Sequence, residues 1–182
     1  MKIMPTGLKA TSSPIQISGS ANEPAAQSFG STVIELTLNP LDNEVFVVTQ
    51  VNLDVDAPDL PGAKDQINIT SASLSTTKRT AVGGINNSNV LASAQRYAGM
   101  AGNGTSSGVS CVVFDREDPT FVAQDLDYLG IVATNNMHLN IIQEGSATAV
   151  NPKTVRVRVY GYRATASASQ YAALVQSELL SE

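Results

Sequence analysis

From Ser31 onward, apolar and polar residues alternate with a period of two, the pattern of strands with one buried face. Ile34, Leu36 and Leu38 alternate with Glu35 and Thr37. The run NPLDN at 39–43 is turn chemistry. Beyond it, Val45, Val47, Thr49, Val51, Leu53 and Val55 fall on one side, and Gln50, Asn52, Asp54 and Asp56 on the other. This predicts a long half-buried strand ended by DAPDLPG at 56–62. Residues 66–78 open with Ile67 and Ile69 inward, then change phase to Ala72 and Leu74, which predicts a bulge. Residues 90–97 suit a short strand or a helical turn. The run VSCVVF at 109–114 is apolar on both faces and predicts a central strand. Residues 129–134 and 137–142, separated by Asn135-Asn136, predict a tight hairpin. The last strand is TVRVRVYGY at 154–162. Val155, Val157 and Val159 face one way, and Arg156, Arg158, Tyr160 and Tyr162 the other.

The two ends read differently. Residues 1–30 are rich in Ser, Ala, Pro and Gly, with only Ile15 and Ile17 alternating and Lys2 and Lys9 as the basic residues. That stretch carries too little apolar surface to fold alone, so it predicts an extended arm, either disordered or ordered against a neighbouring subunit. At the other end, Tyr171, Leu174, Val175 and Leu179 recur at helical spacing, after Ser167 or Ser169 as a cap. Glu178 near the helix C-terminus opposes the helix dipole, so this helix needs something to dock on. About eight strands, no helices between them and no internal repeat predict an all-β, eight-stranded antiparallel jelly-roll β-sandwich over 31–165. An N-terminal arm (1–30) and a short C-terminal helical tail (166–182) complete it.

Composition narrows the function. The 182 residues suit one domain. A net charge of -5 gives no overall drive toward nucleic acid or anionic lipid. One cysteine and one histidine exclude an internal disulfide framework and a multi-histidine metal site within one chain. No apolar run approaches the roughly 18 residues that span a bilayer, and residues 1–10 lack the apolar stretch of a secretory signal. No cofactor is expected.

Catalytic readings are weak. His138 alternates with Met137 and Leu139, which points it at solvent or a subunit contact. The run GVSCV lacks the second glycine of a nucleophile elbow, and Cys111 sits in an apolar run, as inert core cysteines do. The chain is therefore not expected to be an enzyme. Asp54, Asp56 and Asp59, and further on Asp115, Glu117, Asp118, Asp125 and Asp127, do not match a calcium loop. They read as solvated carboxylates, with calcium at a subunit junction as the sharper alternative. Three Asn-X-Ser/Thr triplets, at Asn68, Asn86 and Asn103, read as chance. Lys153, Arg156, Arg158 and Arg163, interleaved with Tyr160 and Tyr162, form the one basic concentration. Its charge is small, so subunit contact outranks nucleic-acid contact there, with an ordinary solvated sheet face as the plain alternative.

Taken together, the soft arm, the β domain, the Ser/Gly/Asn loops and the lack of a catalytic constellation resemble a single jelly-roll virion protein. The segment STVIELTLNPLDNEVFVVTQVNLDVD at 31–56, with TVRVRVYGYRA near the end, resembles the first and last strands of small capsid proteins of icosahedral viruses of bacteria and archaea. The resemblance covers residues 30–165 and lies in architecture. It implies a structural role with no catalytic residues. Many RNA-virus coat proteins of this fold carry an Arg-rich arm, and this chain does not.

Association has support apart from the family. Phe46 and Val48 are apolar at positions opposite the buried face, and exposed apolar patches mark association surfaces. The expectation is a self-assembling capsid subunit located in the virion, touching copies of itself and other virion proteins. Its contact residues would be Arg156, Arg158, Tyr160 and Tyr162 on the last strand and Tyr171, Leu174, Val175 and Leu179 on the tail. The alternative is a ligand-binding β-sandwich, a carbohydrate-binding or host-attachment module. The absence of tryptophan counts against it.

Overall fold

A computed structural model describes residues 7–61, 65–102, 109–117, 127–146 and 149–180, without the side chains of 101–117 and of Leu179. Among them are ten strands, a 3-10 turn and one helix. The strands are β1 (Leu8–Ala10), β2 (Ile15–Asn22), β3 (Gly30–Glu35), β4 (Glu44–Val55), β5 (Gln66–Ser75), β6 (Val90–Gly102), β7 (Val109–Glu117), β8 (Gly130–Val132), β9 (Asn136–Gly145) and β10 (Thr154–Ala166). Helix α1 spans Ala168–Leu180. The strands form two antiparallel sheets, an all-β sandwich. In the first sheet β10 lies between β4 and the pair β1 and β2, and β8 follows β4; the second runs β3-β9-β5-β6-β7.

The core lies between the sheets. Ile34, Phe46, Val51, Leu74, Leu139 and Val157 are buried in it. The alternation read from the sequence holds for β3 and for the valines of β10. It fails inside β4, where the register with β10 jumps between Tyr160 and Gly161. Thr49 is the extra residue, and its hydroxyl donates to the Tyr160 carbonyl at 3.1 Å. The bulge reverses the facing of the strand's first half. Phe46 and Val48 turn inward and are buried, so they offer no sticky surface. Val45 and Val47 turn outward, where the helix covers them.

Four other expectations change. The inward row of β5 is Asn68, Thr70, Ala72 and Leu74, while Ile67 is exposed; the register break comes later, between Leu74 and Ser75. Residues 90–102 are one long strand. The apolar 109–114 run lies in β7, at the end of its sheet instead of its centre. Asn135-Asn136 is no hairpin turn, because β8 pairs with β4 while β9 pairs with β3 and β5 in the opposite sheet. The chain crosses there, and the segment after β3 holds the crossing. The Asn135 carbonyl accepts from Leu36 N–H at 2.9 Å, and its side-chain oxygen accepts from Leu38 N–H at 2.6 Å.

The N-terminal residues also depart from a free arm. β1 and β2 form one interrupted edge along β10, from Leu8 opposite Ala166 to Asn22 opposite Thr154. At the interruption the Ser12 hydroxyl accepts from Arg163 N–H at 2.9 Å and replaces a ladder bond.

Candidate interaction surface

The expected contact residues fall into two groups. The outer face of the first sheet is bare at one end and covered by α1 at the other. On the bare half, register places Ser20, Arg156 and Asp54 in one row, Ser18, Arg158 and Asn52 in the next, and Gln16, Tyr160 and Gln50 in a third. An open trough of about 810 Å³ runs over the first two of these rows. Arg156 donates to Asp56 at 3.0 Å and lies 3.7 Å from Asp54. The bond to Asp56 raises the arginine's pKa further. Arg158 is exposed and makes no ion pair among the described residues.

The second group is committed to its own chain. Tyr162 sits on the same outer face as Arg158 but beneath the helix, buried with Val45, Val47, Ala133, Ala164 and Ala166. Burial, then the negative charge of Asp127 and then Tyr128 push its pKa up. Tyr171, Leu174 and Val175 pack on that cluster. The side chain of Leu179 lies outside the described residues. The helix begins after Ser167, whose carbonyl takes the first helical bond from Tyr171 N–H at 2.9 Å. Glu178 answers the need for a docking partner from within. Its carboxylate is buried and accepts from the N–H groups of Ala133 and Thr134 at 2.9 and 3.0 Å. A side chain that disfavours its own helix end thus anchors the helix to the crossing between β8 and β9.

At one end of the sandwich, two carboxylates tie the loops together. Glu23, directly after β2, is buried. Its Oε1 accepts from Gln143 N–H at 2.5 Å and its Oε2 from Lys153 N–H at 2.9 Å, linking the two sheets. Asp59 accepts from Val150 N–H at 2.9 Å, Asn151 N–H at 3.1 Å and the Lys153 ammonium at 2.5 Å. Burial alone would raise the Asp59 pKa. The Lys153 and backbone bonds outweigh it and hold the carboxyl well below its ordinary value. The same segments present Leu60, Ile67 and Val150 to solvent.

Asp54, Asp56 and Asp59, close in sequence, are thus divided between Arg156 and Lys153 and do not converge. No group of three His, Cys, Asp or Glu is placed to hold a metal among the described residues. His138 is buried on the outer side of the second sheet instead of facing solvent. Sequence reasoning missed Glu23 and the Asp59–Lys153 pair, which lie in loops or at strand ends and are joined only by long-range contacts. No described helix is long and apolar enough to cross a membrane. No family model matches the chain, and no curated protein matches it.

Proposed function

We propose that the chain is a jelly-roll structural subunit of a virion that associates with copies of itself. The strand order carries this reading. With β1 and β7 set aside, β2-β10-β4-β8 faces β3-β9-β5-β6, and every connection except β5 to β6 passes from one sheet to the other. Two interlocked Greek keys of this kind define the jelly roll, an architecture that recurs in viral shells.

The contact surface in this reading is the bare half of the first sheet, centred on Arg156, Arg158 and Tyr160. Arginine and tyrosine are the residue types on which interface energy concentrates. Tyr162, Tyr171, Leu174 and Val175 are not part of it, because their apolar surface is spent within the chain. The test is electron microscopy and sedimentation of the full chain beside Arg158→Glu. Oligomers or shells that the charge reversal weakens by about tenfold or more, at unchanged melting temperature, support the reading. Oligomers indifferent to Arg158 overturn the contact surface, and a monomer at every concentration overturns the function.

The alternative, a ligand-binding module, has one observation in its favour: a roofed cavity on the second sheet.

A further inference from the structure

We propose that the cavity over the outer face of β5, β6 and β9 is a binding site for one or two units of a neutral saccharide. The loop from Thr76 to Asn89 folds back over the sheet and encloses about 300 Å³ between Val82–Asn86 and the strands. That volume lies at the small end of small-molecule pockets, enough for a sugar ring and too little for a folded partner.

The roof is fixed in place. Arg79 donates from Nη1 to Asn89 at 2.9 Å, from Nη2 to Asn87 at 3.4 Å and from Nε to the Ala81 carbonyl at 3.4 Å. Thr76 N–H bonds the Asn89 carbonyl at 2.9 Å and closes the loop at its base. Gly83 N–H donates to the Ser73 hydroxyl at 3.1 Å and pins the tip to the sheet. A side chain at Gly83 would strike Val90 at 2.5 Å, so this approach needs glycine. A preformed cavity avoids the ordering cost that a mobile loop adds to binding.

The floor is polar and oriented. Tyr97 donates its hydroxyl to the Gln95 carbonyl oxygen at 2.5 Å, and the Gln95 amide nitrogen donates to the Ser71 hydroxyl at 3.3 Å. This leaves the Ser71 hydroxyl proton and the second amide proton of Gln95 to a ligand. Asn86 adds an amide at the roof, and Glu144 adds an exposed carboxylate at the rim. Val82, Ile85 and Ile142 form an apolar side, with Ile85 largely exposed at the mouth. Hydroxyl-matching donors and acceptors on one side and aliphatic groups on the other suit a pyranose ring, which has both faces. The lining contains no lysine or arginine, and its single charge is negative, so it selects against phosphate, sulfate and acidic sugars. It holds no aromatic ring for stacking, which sets the expected affinity in the millimolar range.

The inference does not rest on self-assembly, and its readout is separate from particle mass. The test is a backbone-amide NMR titration of the full chain with glucose, galactose, mannose, N-acetylglucosamine and their disaccharides, with glucuronate as the charged control. Saturable shifts confined to residues 82–86, 93–95 and 142–144 are expected, with glucuronate weaker than glucose. Gln95→Ala should weaken binding by tenfold or more. Glu144→Ala, at an exposed position, should weaken it severalfold and keeps the test decisive if the first variant fails to fold. No saturable shift with any sugar, shifts centred instead on the Arg156–Arg158 trough, or tighter binding of glucuronate would each overturn the proposal.

Discussion

At the residue scale, buried oxygens of acidic side chains act as staples in this protein. Glu23 joins the end of β2 to β9 and to Lys153, the residue before β10, with one oxygen on each backbone N–H. Glu23→Ala leaves both donors buried without an acceptor and should lower stability by about 2 kcal/mol, read by urea denaturation. Asp59 gives a pH-dependent counterpart. Its folded pKa lies below the unfolded value of about 3.9, so its stabilisation is complete above that value and is lost as pH falls through and below it. Asp59→Asn should therefore be less stable than the native chain at neutral pH, and the gap should close on acidification below about pH 4. A gap that stayed constant with pH would remove the carboxylate from the account.

Residue-scale reading of the sequence failed where the core is polar. Ile67 and Ile69 look like inward residues, yet Asn68 and Thr70 hold the inward positions. Asn68 tolerates burial because its amide donates to the Asp59 carbonyl at 2.8 Å, a partner that the sequence gives no means to foresee. The β4 bulge misled in the same way. Thr49 continues the apolar alternation on paper, but its hydroxyl finds the Tyr160 carbonyl and the strand changes phase around it. Gly161 beside this step has no room for a Cβ against the Val47 carbonyl and the Phe46 ring. Gly161→Ala should be destabilising by at least about 1 kcal/mol, measured as a lowered melting temperature.

At the element scale, the closing helix is the clearest success of sequence reading and its role the clearest revision. Spacing alone located it, and the unfavourable placement of Glu178 announced that it must dock. The dock is the chain's own face of Val45, Val47 and Tyr162, which becomes apolar only because the β4 bulge turns those valines outward. Deleting residues 168–182 should expose that face and cost about 3 kcal/mol or more of folding stability, since burial of each large apolar side chain contributes ~1.5–3 kcal/mol. Circular dichroism during thermal unfolding reads it. A truncated chain of native stability would mean that the helix belongs to a neighbour. The supposed Asn135-Asn136 hairpin failed for a topological reason. Two short apolar runs around a turn dipeptide look alike whether they pair or part, and the contacts of Asn135 with the segment after β3 decide between the two.

At the scale of the whole molecule, the all-β sandwich was legible, because alternation along β3, β10 and much of β4 survives folding. The N-terminal arm was not. Its small residues are poor at burying surface, but they suit an edge strand, where backbone pairing with β10 holds them. The surfaces left for partners are correspondingly fewer than the sequence suggested. Among the described residues they include the bare polar half of the first sheet, the exposed Leu60, Ile67 and Val150 at the stapled loop end, and the roofed cavity on the second sheet.

Sedimentation velocity of the purified full chain over a wide concentration range tests self-association most directly. Self-association gives species well above the mass of one 19.0 kDa chain that grow with concentration. A single 19.0 kDa species throughout, stable and folded, would contradict it.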